Sequence, residues 1–103
     1  MERFEVVFRP AAEADLFALY RHIAEDAGRD IASAYIDRIE ATCLGLETSP
    51  KRGARRDDIR EGLRTMGFER RATIVFHVGK AEVTIVRVFD GGQDYERVLR
   101  SRS

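Results

Sequence analysis

Cysteine is almost absent: Cys43 stands alone, so no internal disulfide can form. The N-terminal stretch MERFEVVF lacks the basic region and long apolar run that secretion requires, and both features point to a reducing cytoplasm. No segment approaches the roughly 18 to 20 apolar residues of a bilayer-spanning helix, because charge interrupts every run within a few positions. No membrane partner is expected. Neither sign of charge is in excess, since 18 basic and 18 acidic side chains cancel. Bulk attraction to nucleic acid or anionic lipid is thereby removed, and only local patches remain. Internal repeats and low-complexity tracts are missing, and the two prolines, Pro10 and Pro50, fall at element boundaries.

Chemical absences narrow the field further. Gly91-Gly92 lacks the strand-to-helix context that would aim several N–H groups at one phosphate, so no nucleotide cofactor is implied. His22 and Cys43 have no clustered ligand types beside them, which leaves no metal site. Ser33, Ser49, Ser101 and Ser103 fall on a helix, at a helix end or in the tail, where none reads as a nucleophile. No cofactor of any kind is expected.

What is present suits one small globular domain over residues 1–103: 44% hydrophobic residues to fill a core and 35% charged residues to coat it. Phe4, Val6 and Phe8 alternate with Glu5, Val7 and Arg9, the period of a strand, which Pro10 ends. Ala12, Leu16, Leu19, Ile23 and Ala27 then recur at three- and four-residue spacing, with Tyr20 and Ala24 widening the stripe, until Gly28 stops the helix. Asp30 is placed to cap a second helix carrying Tyr35, Ile36, Ile39, Cys43 and Leu46 on one side, closed by Ser49-Pro50. Two amphipathic helices so closely linked form a hairpin that needs an apolar lid.

The lid is a meander. After a polar segment from Lys51 to Glu61, strands are expected at Leu63 to Phe68, Ala72 to Val78 and Glu82 to Phe89, with Gly79-Lys80 as a tight connection. The last strand is apolar on both faces around Arg87, which argues for a central position. Gly91-Gly92 breaks the chain, and Tyr95 to Arg100 forms a last helical turn or a docked tail. The expected class is α+β in the order β-α-α-β-β-β, an antiparallel-rich small sheet packed against a helical hairpin. Its core should hold Leu16, Leu19, Ile23, Ile36, Ile39, Ile74, Phe76, Ile85 and Val88.

Four pieces in this order resemble the RelE/ParE toxin–antitoxin superfamily, from Val7 to about Leu99. They are Ala11-Ala12-Glu13-Ala14-Asp15-Leu16; Ser49-Pro50-Lys51-Arg52-Gly53; Gly62-Leu63-Arg64 with the apolar run Thr73 to His77; and Ile85 through Asp94. The resemblance is nearest to the ParE branch. It implies a cytoplasmic type II toxin that inhibits DNA gyrase and is neutralised by a cognate antitoxin in a hetero-oligomer. The antitoxin contact would fall on Leu16, Leu19, Tyr20 and Ile23, and the target contact on Arg64, Arg87, Asp90, Tyr95, Leu99 and Arg100. The RelE branch implies the alternative, a metal-independent endoribonuclease acting on ribosome-bound mRNA with Arg64 and Arg87 on phosphate and His77 or Tyr95 in proton transfer. A non-toxic module that keeps only antitoxin binding is the third reading.

Two departures separate the chain from the family pattern. Asp90 stands where members usually carry His or Tyr, and Lys51 is alone where RelE-like ribonucleases supply a lysine pair. A structural reading stands beside each functional one: Arg64 and Arg87 organising carboxylates at a sheet face, His77 as a plain sheet-face histidine, Tyr95 as a tail anchor. Lys51, Arg52, Arg55, Arg56, Arg60, Arg64, Arg70 and Arg71 outnumber Asp57, Asp58, Glu61 and Glu69, a basic patch for nucleic acid or an acidic tail, or a solvated loop paired with Asp57 and Asp58.

Overall fold

The computed structural model describes residues 3–91 and 93–101. Strand β1 (Glu5–Phe8) leads through Arg9 into helix α1 (Pro10–Ala27), with Pro10 in the first turn where its missing N–H is not needed. Gly28 alone joins α1 to helix α2 (Arg29–Leu44). At φ 100° it takes a conformation that a Cβ would resist, donating its N–H to the Ala24 carbonyl and accepting from the Ala32 N–H. The expected cap at Asp30 is thus corrected: Gly28 occupies the cap position and Asp30 lies in the first turn, where its charge favours the positive end of the helix.

A 3₁₀ turn (Gly45–Glu47) ends α2, and the chain crosses to a two-residue strand β2 (Ala54–Arg55) inside the segment expected to be loop. Strands β3 (Leu63–Phe68), β4 (Ala72–Val78) and β5 (Glu82–Asp90) follow, then helix α3 (Tyr95–Arg100). The sheet order is β1-β5-β4-β3-β2, with β1 parallel to β5 and all other neighbours antiparallel. Strand β5 therefore lies inside the sheet, as its apolar faces require. Gly92, half of the expected Gly91-Gly92 break, lies outside the described residues.

Two cores result. The larger fills the space between the helical hairpin and one sheet face, with Ile39, Leu46, Ile74, Phe76, Val83 and Ile85 fully buried. Leu16, Leu19, Ile23 and Val88 join it, while Ile36 is only partly buried at its edge. The second core lies on the opposite face, where Leu99 of α3 covers Leu63, Val75, Val86 and Phe89. Its residues follow from a bulge in β5: Phe76 pairs with Ile85 and Val75 with Arg87, so Val86 is an extra residue that alters the alternation.

Candidate functional site

Strand β1 pairs with β5 only as far as Phe8 and Ile85, which leaves the next stretch of β5 without a strand on that side. The carboxylate of Asp15, carried there by α1, takes its place. It accepts the Val88 N–H at 2.9 Å and a two-pronged contact from Arg87, Nε at 2.7 Å and Nη2 at 2.9 Å. The guanidinium also lies 4.8 Å from the centre of the Phe89 ring. The hydrogen bonds it donates to Asp15 stabilise the cation and raise the Arg87 pKa above its usual value. Arg87 is thus an internal strut between sheet and hairpin.

The C-terminal helix is fastened by a second set of charges. Asp94 caps it by accepting the Arg97 N–H at 3.2 Å. Arg56 grips Asp58 through Nε at 3.0 Å and Nη2 at 2.8 Å, contacts Glu96 at 2.8 Å, and donates to the Tyr95 hydroxyl at 3.2 Å. Arg100 closes the clasp on Asp58 at 2.7 Å. Hydrogen bonds from Arg56 first, and its charge, hold the Asp58 carboxyl well below the usual carboxylate range, and Arg56 is raised in return. Beneath this clasp the Tyr95 ring sits 6.2 Å from Phe89 and Leu99 is buried.

Asp90 has a structural use that accounts for an acid at this position. One of its carboxylate oxygens accepts the Gly91 N–H at 2.8 Å and lies 3.3 Å from Nε of Arg71, while Gln93 accepts the Asp90 N–H at 2.8 Å. Only glycine fits at position 91, because a Cβ there would come within 2.6 Å of the Arg71 carbonyl. A neighbouring fork, Arg38 to Glu69 at 2.8 and 2.9 Å, braces the β3–β4 turn, where Glu69 and Arg70 both have positive φ, 51° and 59°. Cys43 is buried, and desolvation pushes its thiol up to about 12, which makes it inert core material.

The residues considered for acid–base chemistry do not converge. Arg64 pairs in register with Phe76, on the sheet face that carries Met66 and Phe68 into the larger core, whereas His77 pairs with Leu63, whose side chain enters the second core. Arg87 is held by Asp15 and the Tyr95 hydroxyl by Arg56, and among the described residues no hydrogen bond joins any two of these four. Arg87 and Tyr95 share only the Phe89 ring. The pairing of the loop arginines with Asp57 and Asp58 was open to the sequence reading and is found at Arg55–Asp57 and Arg56–Asp58, but Asp15 as a partner and the reach of Arg56 and Asp58 to Tyr95, Glu96 and Arg100 were missed, because those partners lie far along the chain. The Asp15-Leu16 and Arg87 motifs were both visible, but their pairing was not.

Leu16, Leu19 and Ile23, expected to meet an antitoxin, point inward at 6%, 4% and 5% exposure. Of that set Tyr20 alone is partly exposed. A shallow groove of about 270 Å³ on the outside of the hairpin is lined by Glu13, Leu16, Phe17, Tyr20, Ile36 and Glu40, with Phe17 63% exposed. No helix among the described residues is long and apolar enough to cross a membrane.

The arrangement is the RelE/ParE fold, shared with two solved toxin–antitoxin systems. The chromosomal ParDE system of P. aeruginosa aligns with a TM-score of 0.74 and 27% identity over 85% of this chain and 96% of that one. The RelBE2 complex of Mycobacterium tuberculosis has the same fold at a TM-score of 0.58 and 21% identity, over 90% of this chain and 97% of that one. Toxin ParE3 of Caulobacter vibrioides is 34% identical over 83 residues, 81% of each chain. Residues 6–95 match the model of the ParE toxin of the type II toxin–antitoxin system parDE, and the chain belongs to that family.

Proposed function

We propose that this toxin acts by binding, that its target is DNA gyrase, and that a cognate antitoxin neutralises it in the cytoplasm. The observation that carries the reading is the commitment of Arg87 and Tyr95 to internal partners. Cleavage of RNA without a metal requires an acid, a base and cations free to meet the phosphorane. Here the second arginine already neutralises Asp15, and the phenol accepts a hydrogen bond from Arg56. A binding surface asks less of them: rigid placement is enough.

The target contact is proposed on the face of α3, where Arg100 is exposed as part of the clasp and Asp90 shapes the turn before α3. Leu99 and Arg87 act there as supports, and Arg64 lies on the other sheet face. The antitoxin contact is proposed on the outer groove of the hairpin, at Phe17 and Tyr20, where an amphipathic segment would lay its apolar anchors. The test uses the purified protein in a gyrase supercoiling assay and, separately, on programmed ribosomes carrying mRNA. Loss of supercoiling with intact message is expected. Codon-phased cuts with untouched supercoiling would overturn the proposal.

A further inference from the structure

Phe17 is the most exposed of the large apolar side chains among the described residues. Arg21, one helical turn further on, covers one face of its ring, with the guanidinium carbon 5.9 Å from the ring centre. The groove around the ring is floored by Leu16, Tyr20 and Ile36, and the charged side chains that line it are two exposed carboxylates, Glu13 and Glu40. An exposed aromatic ring between two acids suits a partner that offers an apolar seat flanked by positive charge.

The same chain carries such a seat elsewhere. The motif Ser49-Pro50-Lys51-Arg52-Gly53 passes the start of β1 and the β4–β5 connection, and there Phe4, Pro50 and Val78 line a cleft of about 560 Å³. Its charged residues are Lys51 and Arg52, and no carboxylate lines it. Both cations are exposed, and among the described residues neither is held in an ion pair. Groove and cleft share no residue, so one molecule can present both at once.

Charge decides how two copies can meet. In an isologous pair the same patch faces itself. Groove on groove would set Glu13 and Glu40 against their own counterparts, and cleft on cleft would do the same with Lys51 and Arg52. Like charges so placed oppose association. Groove on cleft alone brings opposite charges together around an apolar centre.

We propose that free copies of this chain associate head to tail, with Phe17 of one copy seated in the Phe4–Pro50–Val78 cleft of the next and Glu13 and Glu40 facing Lys51 and Arg52. The contact is heterologous, so each assembly keeps an open groove at one end and an open cleft at the other and can grow beyond a pair. One ring and its charged rim make a small interface, with a dissociation constant of roughly 10 µM to 1 mM that rises with salt. The association requires neither gyrase nor an antitoxin. A segment laid over Phe17, as proposed above for the antitoxin, would compete with it.

The test is analytical ultracentrifugation of the full-length protein over roughly the same concentration range. The average mass should rise with concentration, and less so in high salt. Phe17→Glu removes the groove, and Lys51→Glu with Arg52→Glu removes the cleft; each should move the rise to at least about tenfold higher concentration. Mixing the two variants is decisive, because the first keeps its cleft and the second its groove. Together they should form a one-to-one pair that grows no further. Should either lose its native circular-dichroism spectrum, Phe17→Ala and Lys51→Ala with Arg52→Ala repeat the mixing. A native protein that stays monomeric throughout would overturn the proposal. So would a cleft variant that assembles like the native chain, the mark of hairpin meeting hairpin, or a mixture of folded variants that stays monomeric.

Discussion

Asp15 serves three donors with two oxygens: the Val88 N–H, and Nε and Nη2 of Arg87. Its side chain is only 16% exposed, so water cannot readily replace it if it is removed. Asp15→Ala should leave a strand N–H and a partly buried guanidinium unsatisfied and cost roughly 1.5 to 3 kcal/mol, measured by urea unfolding. Asp15→Asn keeps an acceptor for Val88 and should cost less; equal losses in the two variants would show that the charge contributes nothing. The importance of Arg87 was evident from a lone cation within an apolar strand. Its role was not, because a guanidinium that holds an anion from outside and one that holds a carboxylate from inside read alike along the chain.

Helix α3 has six residues, too few to persist alone, and what fixes it is one buried leucine, a ring contact and the Arg56–Asp58–Arg100 clasp. Asp58, Asp57 and Glu69 all have folded pKa values below their ordinary ones, each chiefly because of hydrogen bonds to its carboxylate. Their contribution is therefore complete above the usual carboxylate range, near about pH 4, and fades as pH falls through the lowered folded values. Protection of the amides from Tyr95 to Arg100, taken relative to the intrinsic exchange rate at each pH, should fall below about pH 4 before the sheet opens, and Arg56→Ala should produce the same loosening at neutral pH. Exchange at α3 that stays locked to global unfolding in both cases would mean that Leu99 holds the helix without the clasp.

The long elements were legible because their apolar periods are long. Leu16, Leu19 and Ile23 mark α1, and the β-branched run from Val83 to Val88 marks β5. Two residues of charged sequence carry no period, so β2 at Ala54–Arg55 was invisible, and with it the pairing of Arg55 and Arg64. The β3–β4 turn was located by the strands on either side of it, but its geometry was not announced, because Glu69 and Arg70 hold the positive-φ positions where asparagine and glycine are usual.

At the scale of the whole molecule, net neutrality conceals a division of charge. The outer groove of the hairpin is bordered by Glu13 and Glu40, while the cleft beside β2 and β3 sets Lys51, Arg55 and Arg64 against Asp57 and Glu61. A partner for the hairpin should therefore carry apolar anchors flanked by lysine or arginine. Phe17→Glu puts a charge in the middle of that groove, on a residue too exposed to support the core, so stability should change by less than about 0.5 kcal/mol. Co-purification with the proposed antitoxin should drop at least tenfold, scored by calorimetry or pull-down. Unchanged affinity would move the contact elsewhere and leave the family membership untouched.

The parallel pairing of β1 with β5 has a consequence in time. Val6 has no strand partner until Val83 has been made, and the larger core cannot close before β5 is available. During synthesis the α1–α2 hairpin emerges with Leu16, Leu19, Ile23 and Ile39 uncovered, and loop closure between β1 and β5 comes after it. A copy translated only as far as β4 thus has neither the Asp15–Arg87 strut nor the C-terminal clasp, because Arg87 and Arg100 are still missing. The finished surface forms only once β5 and α3 are available, and anything that is to bind the nascent hairpin first must act before they have been made.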